Sequence, residues 1–263
     1  QASSDPTTGS ALRLRGGTSL SASNSPLIVV DGIPGVDINT VQPSEIVSMD
    51  VLKDASAAAI YGSRGANGVI IVTTNRASDT EVSKMSYSGW VSVGKAAKNV
   101  DMLSADQWRD YVRKNEILDA VDYGANTDWI KELEQTAISH AHNFNISNSR
   151  KKNGYRAAAS YQANEGIVKH NYMNRLAGSL SAYQYGLNGK LKMDLGVNMT
   201  YDKYRAPDYG FYGIFNYALN QNPTVPVKDE YGNYTRMGGT NMQNPVEYND
   251  NYYSEQTRHR LLA

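Results

Sequence analysis

Apolar and polar side chains alternate without an error along one stretch of this chain. Leu191, Met193, Leu195, Val197, Met199 and Tyr201 are separated by Lys192, Asp194, Gly196, Asn198, Thr200 and Asp202. A period of two belongs to a strand with unlike faces and is incompatible with a helix. The pattern recurs in Met85, Tyr87, Gly89, Val91 and Val93 against Lys84, Ser86, Ser88, Trp90 and Ser92. It returns at Phe144 and Ile146, at Tyr155, Ala157, Ala159 and Tyr161, and at Leu176, Gly178, Leu180 and Ala182. These segments predict five complete strands, and Arg258 to Leu262 predicts the start of another.

Connection lengths sort the strands. Long segments follow Val93 and Tyr204, a shorter one runs from Asn164 to Asn174, and brief ones run from Arg150 to Gly154 and from Tyr185 to Gly189. Both brief ones end in Asn-Gly, the preferred pair for a tight hairpin. Membrane β-barrels have short turns on the periplasmic rim and long loops outside, so Met85 to Val93 is expected to rise outward. An open sheet cannot stand in lipid with unpaired edges, and barrels of this kind need at least about eight strands. The expectation is a barrel segment that does not close by itself.

The N-terminal part reads differently. Leu27 to Val30 is a short apolar strand closed by Asp31-Gly32, and Ile46 to Leu52 is a second strand. Ala55 to Tyr61 is a helical turn of small residues, Gly62 to Gly68 a loop with glycine at every third position, and Val69 to Thr74 a third strand. Together they predict a compact α+β unit ending near Asn75. Farther on, Ser104 and Gln107 have capping-box spacing and open a helix expected to run to Asn115.

Composition fits a barrel. Of 263 residues, 40% are hydrophobic, and the 26 basic and 26 acidic side chains cancel. A neutral chain gives no whole-molecule electrostatic case for nucleic acid. No cysteine is present, which removes disulfides, thiolate metal sites and thiol nucleophiles. The mean hydropathy of -0.53 is compatible with barrel strands, which turn only every second side chain to lipid. Nineteen tyrosines and 22 glycines against three phenylalanines suit strands with aromatic rings at a membrane boundary, where Tyr87, Tyr155, Tyr161, Tyr201 and Tyr204 are expected. Gln1 opens the chain without a charged or apolar leader, so a signal peptide is expected to lie outside it.

The runs Ser25-Pro-Leu-Ile-Val-Val-Asp-Gly-Ile-Pro34 and Ile46-Val-Ser-Met-Asp-Val-Leu-Lys-Asp54, continuing through Tyr61-Gly-Ser-Arg-Gly-Ala-Asn-Gly-Val69 to Thr74, closely resemble the plug domain of the SusC/RagA family of TonB-dependent transporters. A weaker resemblance continues through Asn164 to Val168 and Asn222 to Val227. The resemblance implies a multi-pass protein of the bacterial outer membrane, with a β-barrel 22-stranded when complete and filled by an α+β plug domain. Residues 1–78 would be plug, incomplete at its N-terminus, and residues 79–263 the first strands and extracellular loops of the barrel. It further implies TonB-dependent import of oligosaccharides or peptides, a SusD-like surface lipoprotein as lid, the TonB complex as energy source, and a dimer of transporter–lid pairs. A passive porin or a surface glycan-binding adhesin barrel is the alternative, and a soluble carbohydrate-binding module a third reading.

Within the plug motif, Asp31, Gly32, Gly62, Arg64, Gly65, Asn67 and Gly68 are expected to be structural. The glycines turn the backbone where side chains would meet the wall, and Arg64 is expected to bond to carboxylates or carbonyls of plug or barrel. Gly62 to Gly68 lacks both phosphate-loop spacings and precedes a strand instead of a helix, so no nucleotide site follows. His140 and His142 lie near a loop-to-strand junction without a third ligand, and Asp229 to Asn233 departs from the calcium-loop pattern, so no metal is expected. No nucleophile motif supports an enzyme, and no cofactor is implied. The loop from Tyr204 to Tyr253 is dense in tyrosine, asparagine and aspartate. Tyr209, Tyr212 and Tyr234 are its candidate substrate contacts, since aromatic faces beside amides suit sugars or peptides. The competing reading is that these rings pack the loop on itself or on the lid.

Overall fold

The computed structural model describes residues 5–7, 25–38, 41, 43–52, 60–75, 82–210, 213–236, 243–252 and 254–262. Four strands form the first sheet: β1 (Leu27–Val30), β2 (Ile33–Pro34), β3 (Ile46–Leu52) and β4 (Val69–Thr74), in the order β2-β1-β4-β3. The central pair β1 and β4 is parallel, and such strands are covered on both faces. Val29, Val30, Val69 and Val72 are accordingly fully buried.

The Asp31-Gly32 turn joins β1 to β2 with both residues at positive φ, 51° and 89°. Asp31 has a further structural task, because its carboxylate accepts from the Thr74 N–H at 2.9 Å and the Thr74 hydroxyl at 2.5 Å. The end of β1 is thereby tied to the end of β4. Gly62–Gly65 is a short 3-10 turn, with Gly65 buried, and Asn67 and Gly68 lead from it into β4. The expected helical turn from Ala55 lies mostly outside the described residues. Arg64 is exposed, and its guanidinium rests over Gly35, where an added Cβ would come within 2.6 Å. Among the described residues it makes no ion pair with a carboxylate.

The second sheet is an antiparallel meander of β5 (Val82–Gly94), β6 (Ala137–Arg150), β7 (Asn153–Glu165), β8 (Tyr172–Gly186), β9 (Leu191–Arg205) and β10 (Gln256–Leu262). All five predicted strands are present and the sixth is formed. Strand β6 begins at Ala137, earlier than Phe144. Its outward positions there are Ile138, His140 and His142, and two histidines hide the apolar alternation. The histidines therefore sit inside a strand, beside Tyr87 and Tyr161, not at a loop junction.

Register separates two faces. Met85 pairs with Ile146, Ile146 with Ala157, Ala157 with Leu180 and Leu180 with Val197. Met85, Leu176, Leu195, Met199 and Leu261 on this face are 70%, 55%, 55%, 58% and 71% exposed. An apolar band of this extent is untenable in water and is the lipid side of a barrel wall. Tyr155 marks the band toward one end, and Tyr161 and Tyr201 toward the other. Tyr204 is not among them: it belongs with Thr200 and Asp202 on the opposite face, donating to Gln256 Oε1 at 2.6 Å.

The connections alternate as expected. At one end, residues 151–152 join β6 to β7 and Leu187–Gly189 joins β8 to β9. The second turn uses Asn188 and Gly189 at φ 57° and 88°. The first does not use its Asn-Gly: Arg150 already pairs with Asn153, so Lys151-Lys152 is the turn. Gly154 is required for another reason, since a Cβ there would lie 2.5 Å from the Tyr183 ring, whose hydroxyl donates to the Arg150 carbonyl at 2.6 Å.

Charge joins the two sheets. Arg156, inward on β7, forks onto Glu45 in the 3-10 turn Pro43–Glu45 and also donates to Asn145. Ser179 on β8 donates to the same carboxylate at 3.3 Å. The ion-paired side chains are only 11% and 9% exposed. A second link runs from Asp37 to Arg260 on β10 at 3.0 Å, then to Asp202, which Arg175 holds at 2.7 Å. Removing one partner of a buried pair costs about 3–5 kcal/mol because the other charge is stranded, whereas replacing both with apolar groups costs much less. Arg156→Ala in the complete barrel is therefore expected to loosen the plug and raise passive leakage from liposomes. The double change Arg156→Met with Glu45→Met should leak less than the single one.

Candidate functional site

The long loops meet at the end of the wall where β5, β7 and β9 finish. Helix α1 (Ala105–Lys114) opens on Ser104, whose hydroxyl accepts from the Gln107 N–H while the Gln107 side chain accepts from the Ser104 N–H. This is the expected capping box, and the helix stops one residue before Asn115. Three short helices follow: α2 (Trp129–Leu133), α3 (Ile214–Asn220) and α4 (Pro245–Asn251). Asp128 caps α2, and Asn244 caps α4 just ahead of Pro245 at the first helical position.

These loops share one hydrophobic core. Trp129, Ile130 and Leu133 from the first loop pack with Val168 from the second and with Ile214, Ala218, Val225 and Val246 from the third. Polar bonds close the assembly: Trp129 Nε1 donates to the Asn222 carbonyl at 3.1 Å, and Asn249 Nδ2 donates to the Lys169 carbonyl at 3.0 Å. The loops thus form a rigid cap on the wall.

Most of the cap's tyrosines have internal partners. Tyr248 stacks on Tyr252, meets Tyr217 edge-on and donates to Asp208 at 2.7 Å. Burial and the Asp208 carboxylate both raise its pKa. Tyr234 donates to Asp250 and lies under the Lys228 ammonium, 4.6 Å from the ring centre. That carboxylate, aided by burial, pushes the phenol up to about 12. Tyr209 differs: it stacks on Phe215, accepts from Asn171 Nδ2 at 2.9 Å, and keeps 41% of its surface exposed. Burial of its hydroxyl end also takes it to about 12. Tyr212 lies outside the described residues. Asp229 is the centre of a polar turn, accepting from the N–H groups of Tyr231 and Asn233 at 3.0 and 2.8 Å. Among the described residues no cluster of three or more histidine, aspartate or glutamate side chains is placed to hold a metal.

A cleft absent from the sequence reading lies between the first and third loops. Its volume is about 1130 Å³, and its lining includes Met102, Leu103, Trp108, Tyr123, Leu219 and Gln221. A cavity of this size is large enough to hold a small-molecule ligand. The only trace of it in the sequence is Val100, Met102 and Leu103 just ahead of the helix cap at Ser104.

A small sheet ion-paired to the inner face of a wall whose outer face is apolar fits a plug held against a membrane barrel. Residues 1–69 match the model of the TonB-dependent receptor plug domain. TonB-dependent receptor SusC of Bacteroides thetaiotaomicron is 37% identical over 245 residues, covering 89% of this chain and 24% of SusC. TonB-dependent receptor P3 of Formosa agariphila is 37% identical over 186 residues, covering 71% of this chain and 18% of that receptor. Among solved structures, the RagAB peptide transporter shares the fold with a TM-score of 0.75 at 24% identity, over 93% of this chain and 33% of that one. The chain spans no more than about a quarter of the curated relatives it matches. Within the receptor class it belongs to the SusC/RagA family.

The raised phenols give a pH test of the cap. A group whose folded pKa exceeds its unfolded value contributes stability that is complete below the unfolded value, near 10, and is lost as pH rises through about 12. Tyrosinate absorbance should show a late-titrating class near pH 12, and Asp250→Asn should move one tyrosine out of it toward pH 10. A titration unchanged by that substitution would contradict the Tyr234–Asp250 bond.

Proposed function

We propose that this chain supplies plug and first wall strands to an outer-membrane transporter that imports oligosaccharides or peptides with energy from the TonB complex. A SusD-like surface lipoprotein serves as the lid, and transporter–lid pairs assemble as dimers. In this reading residues 1–78 are plug and residues 79–263 barrel, and the loop cap stands on the extracellular side. The carrying observation is the pairing of an apolar outer face with an inner face ion-paired to the plug through Arg156 and Glu45. A passive pore needs no element held against its wall by charges that can be broken and remade. Tyr209 retains the exposed surface expected of a substrate contact, whereas the Tyr234 hydroxyl is committed to Asp250.

The reading predicts that deleting the TonB system, with the lid protein still present, abolishes uptake of the transporter's cargo. Uptake continuing at the original rate would instead identify a passive porin or adhesin barrel.

A further inference from the structure

We infer that the inner face of this wall, when plug and wall part, draws in anionic groups, so that the opened passage favours cargo bearing carboxylate, sulfate or phosphate. The observation is a division of charge between wall and plug. The cations on the inward positions of the six strands are Lys84, Arg156, Arg175, Lys192, Arg258 and Arg260, whereas the carboxylates there are only Asp194 and Asp202. Two levels of the ladder hold most of the cations. In the first, Lys84 pairs with Ser147, Ser147 with Arg156, Arg156 with Ser181 and Ser181 with Gly196, a row without a carboxylate. Glu45 of the plug neutralises Arg156 there. In the second, Arg175 pairs with Asp202 and Asp202 with Arg258, while Arg260 also bonds to Asp202. Three guanidiniums thus stand around one wall carboxylate, and Asp37, from the plug side, supplies another. Gly196 and Asp202 both lie on β9, which sets the two levels about 20 Å apart along the strand.

Withdrawing Glu45 and Asp37 with the plug therefore leaves both levels cationic. Lys192 is held by Asp194 at 3.4 Å and adds little. Arg258 lies over the Tyr204 ring and donates to its hydroxyl at 3.0 Å, and neither contact cancels its charge. Lys84 is exposed. A guanidinium that has lost its carboxylate in a poorly hydrated place calls for another anion, and the fork of Arg156 suits two oxygens of one acidic group. A neutral hydroxyl or amide accepts a hydrogen bond from it without neutralising it. Low-dielectric walls concentrate the field inside a passage, and arginine and lysine lining is what makes a pore admit anions.

Taking the anion as cargo rests on the importer reading, but the charge of the wall does not. The test uses the complete transporter in planar lipid bilayers, with urea added until the water-facing plug gives way and the lipid-held barrel conducts. In a gradient of potassium chloride, the reversal potential should show chloride passing more readily than potassium. Lys84→Gln with Arg258→Gln, neither paired to Glu45 or Asp37, should lower the chloride-to-potassium permeability ratio by about twofold or more, the effect of a unit charge ~10 Å away in water. Tetraglutamate and tetragalacturonate should each block the current about tenfold more often than tetraglutamine and maltotetraose at equal concentration. Frequent block by only one acidic probe would support the inference and identify the scaffold that carries the charge. A passage selective for potassium, a permeability ratio untouched by the double substitution, or acidic probes that block no more often than the neutral ones would overturn it. The probe comparison needs no protein variant and so holds even if a substitution prevents folding. TonB-dependent uptake through a passage indifferent to charge would leave the importer reading intact and remove only this inference.

Discussion

One buried ion pair sets the orientation of the wall. Arg156 faces inward because its guanidinium must meet the Glu45 carboxylate away from water, and a charge buried alone would not be tolerated. With a side-chain period of two, that single constraint turns Tyr155, Ala157, Ala159 and Tyr161 outward. The ladder carries the assignment from strand to strand, through Ala157–Leu180 and Leu180–Val197 to Met199–Leu261. At the far edge Arg260 repeats the device with Asp37. Charge fixes which face meets the plug, and the apolar face has lipid as its only compatible surrounding.

Rigidity at the other end of the wall comes from a different source. Among the described residues the loops hold only short helices, yet Trp129, Val168, Ile214 and Val246 give three of them one core. The hydroxyls of Tyr248 and Tyr234 are taken by Asp208 and Asp250. The Tyr209 face and the cleft beside Gln221 stay open.

Strands with clean alternation were legible because lipid and plug impose opposite chemistry on successive residues, as β9 shows. The plug strands were legible from their apolar runs and the Asp31-Gly32 turn. What failed had local causes. His140 and His142 masked the start of β6, and Asn153-Gly154 looked like a turn although its glycine answers to Tyr183. Tyr204 was assigned to the girdle by residue type when its parity places it inside. The helix at Pro245 was missed, although Asn244-Pro245-Val246-Glu247 is a start signal with an N-cap and a proline behind it. The shared loop core was not legible, because Trp129, Val168 and Ile214 are far apart in sequence and no period links them. Glu45 gave no sign of its partner for the same reason.

The central claim is that alternate residues of the six strands face lipid and plug. Spin labels placed one at a time at Leu176, Leu195 and Met199, and at Ser181, Asn198 and Thr200, test it in the complete barrel reconstituted in bilayers. Collision with oxygen should dominate at the first three and be low, with little motion of the label, at the others. Labels at Leu176 or Leu195 that collide freely with a water-soluble nickel reagent, and not with oxygen, would contradict the account.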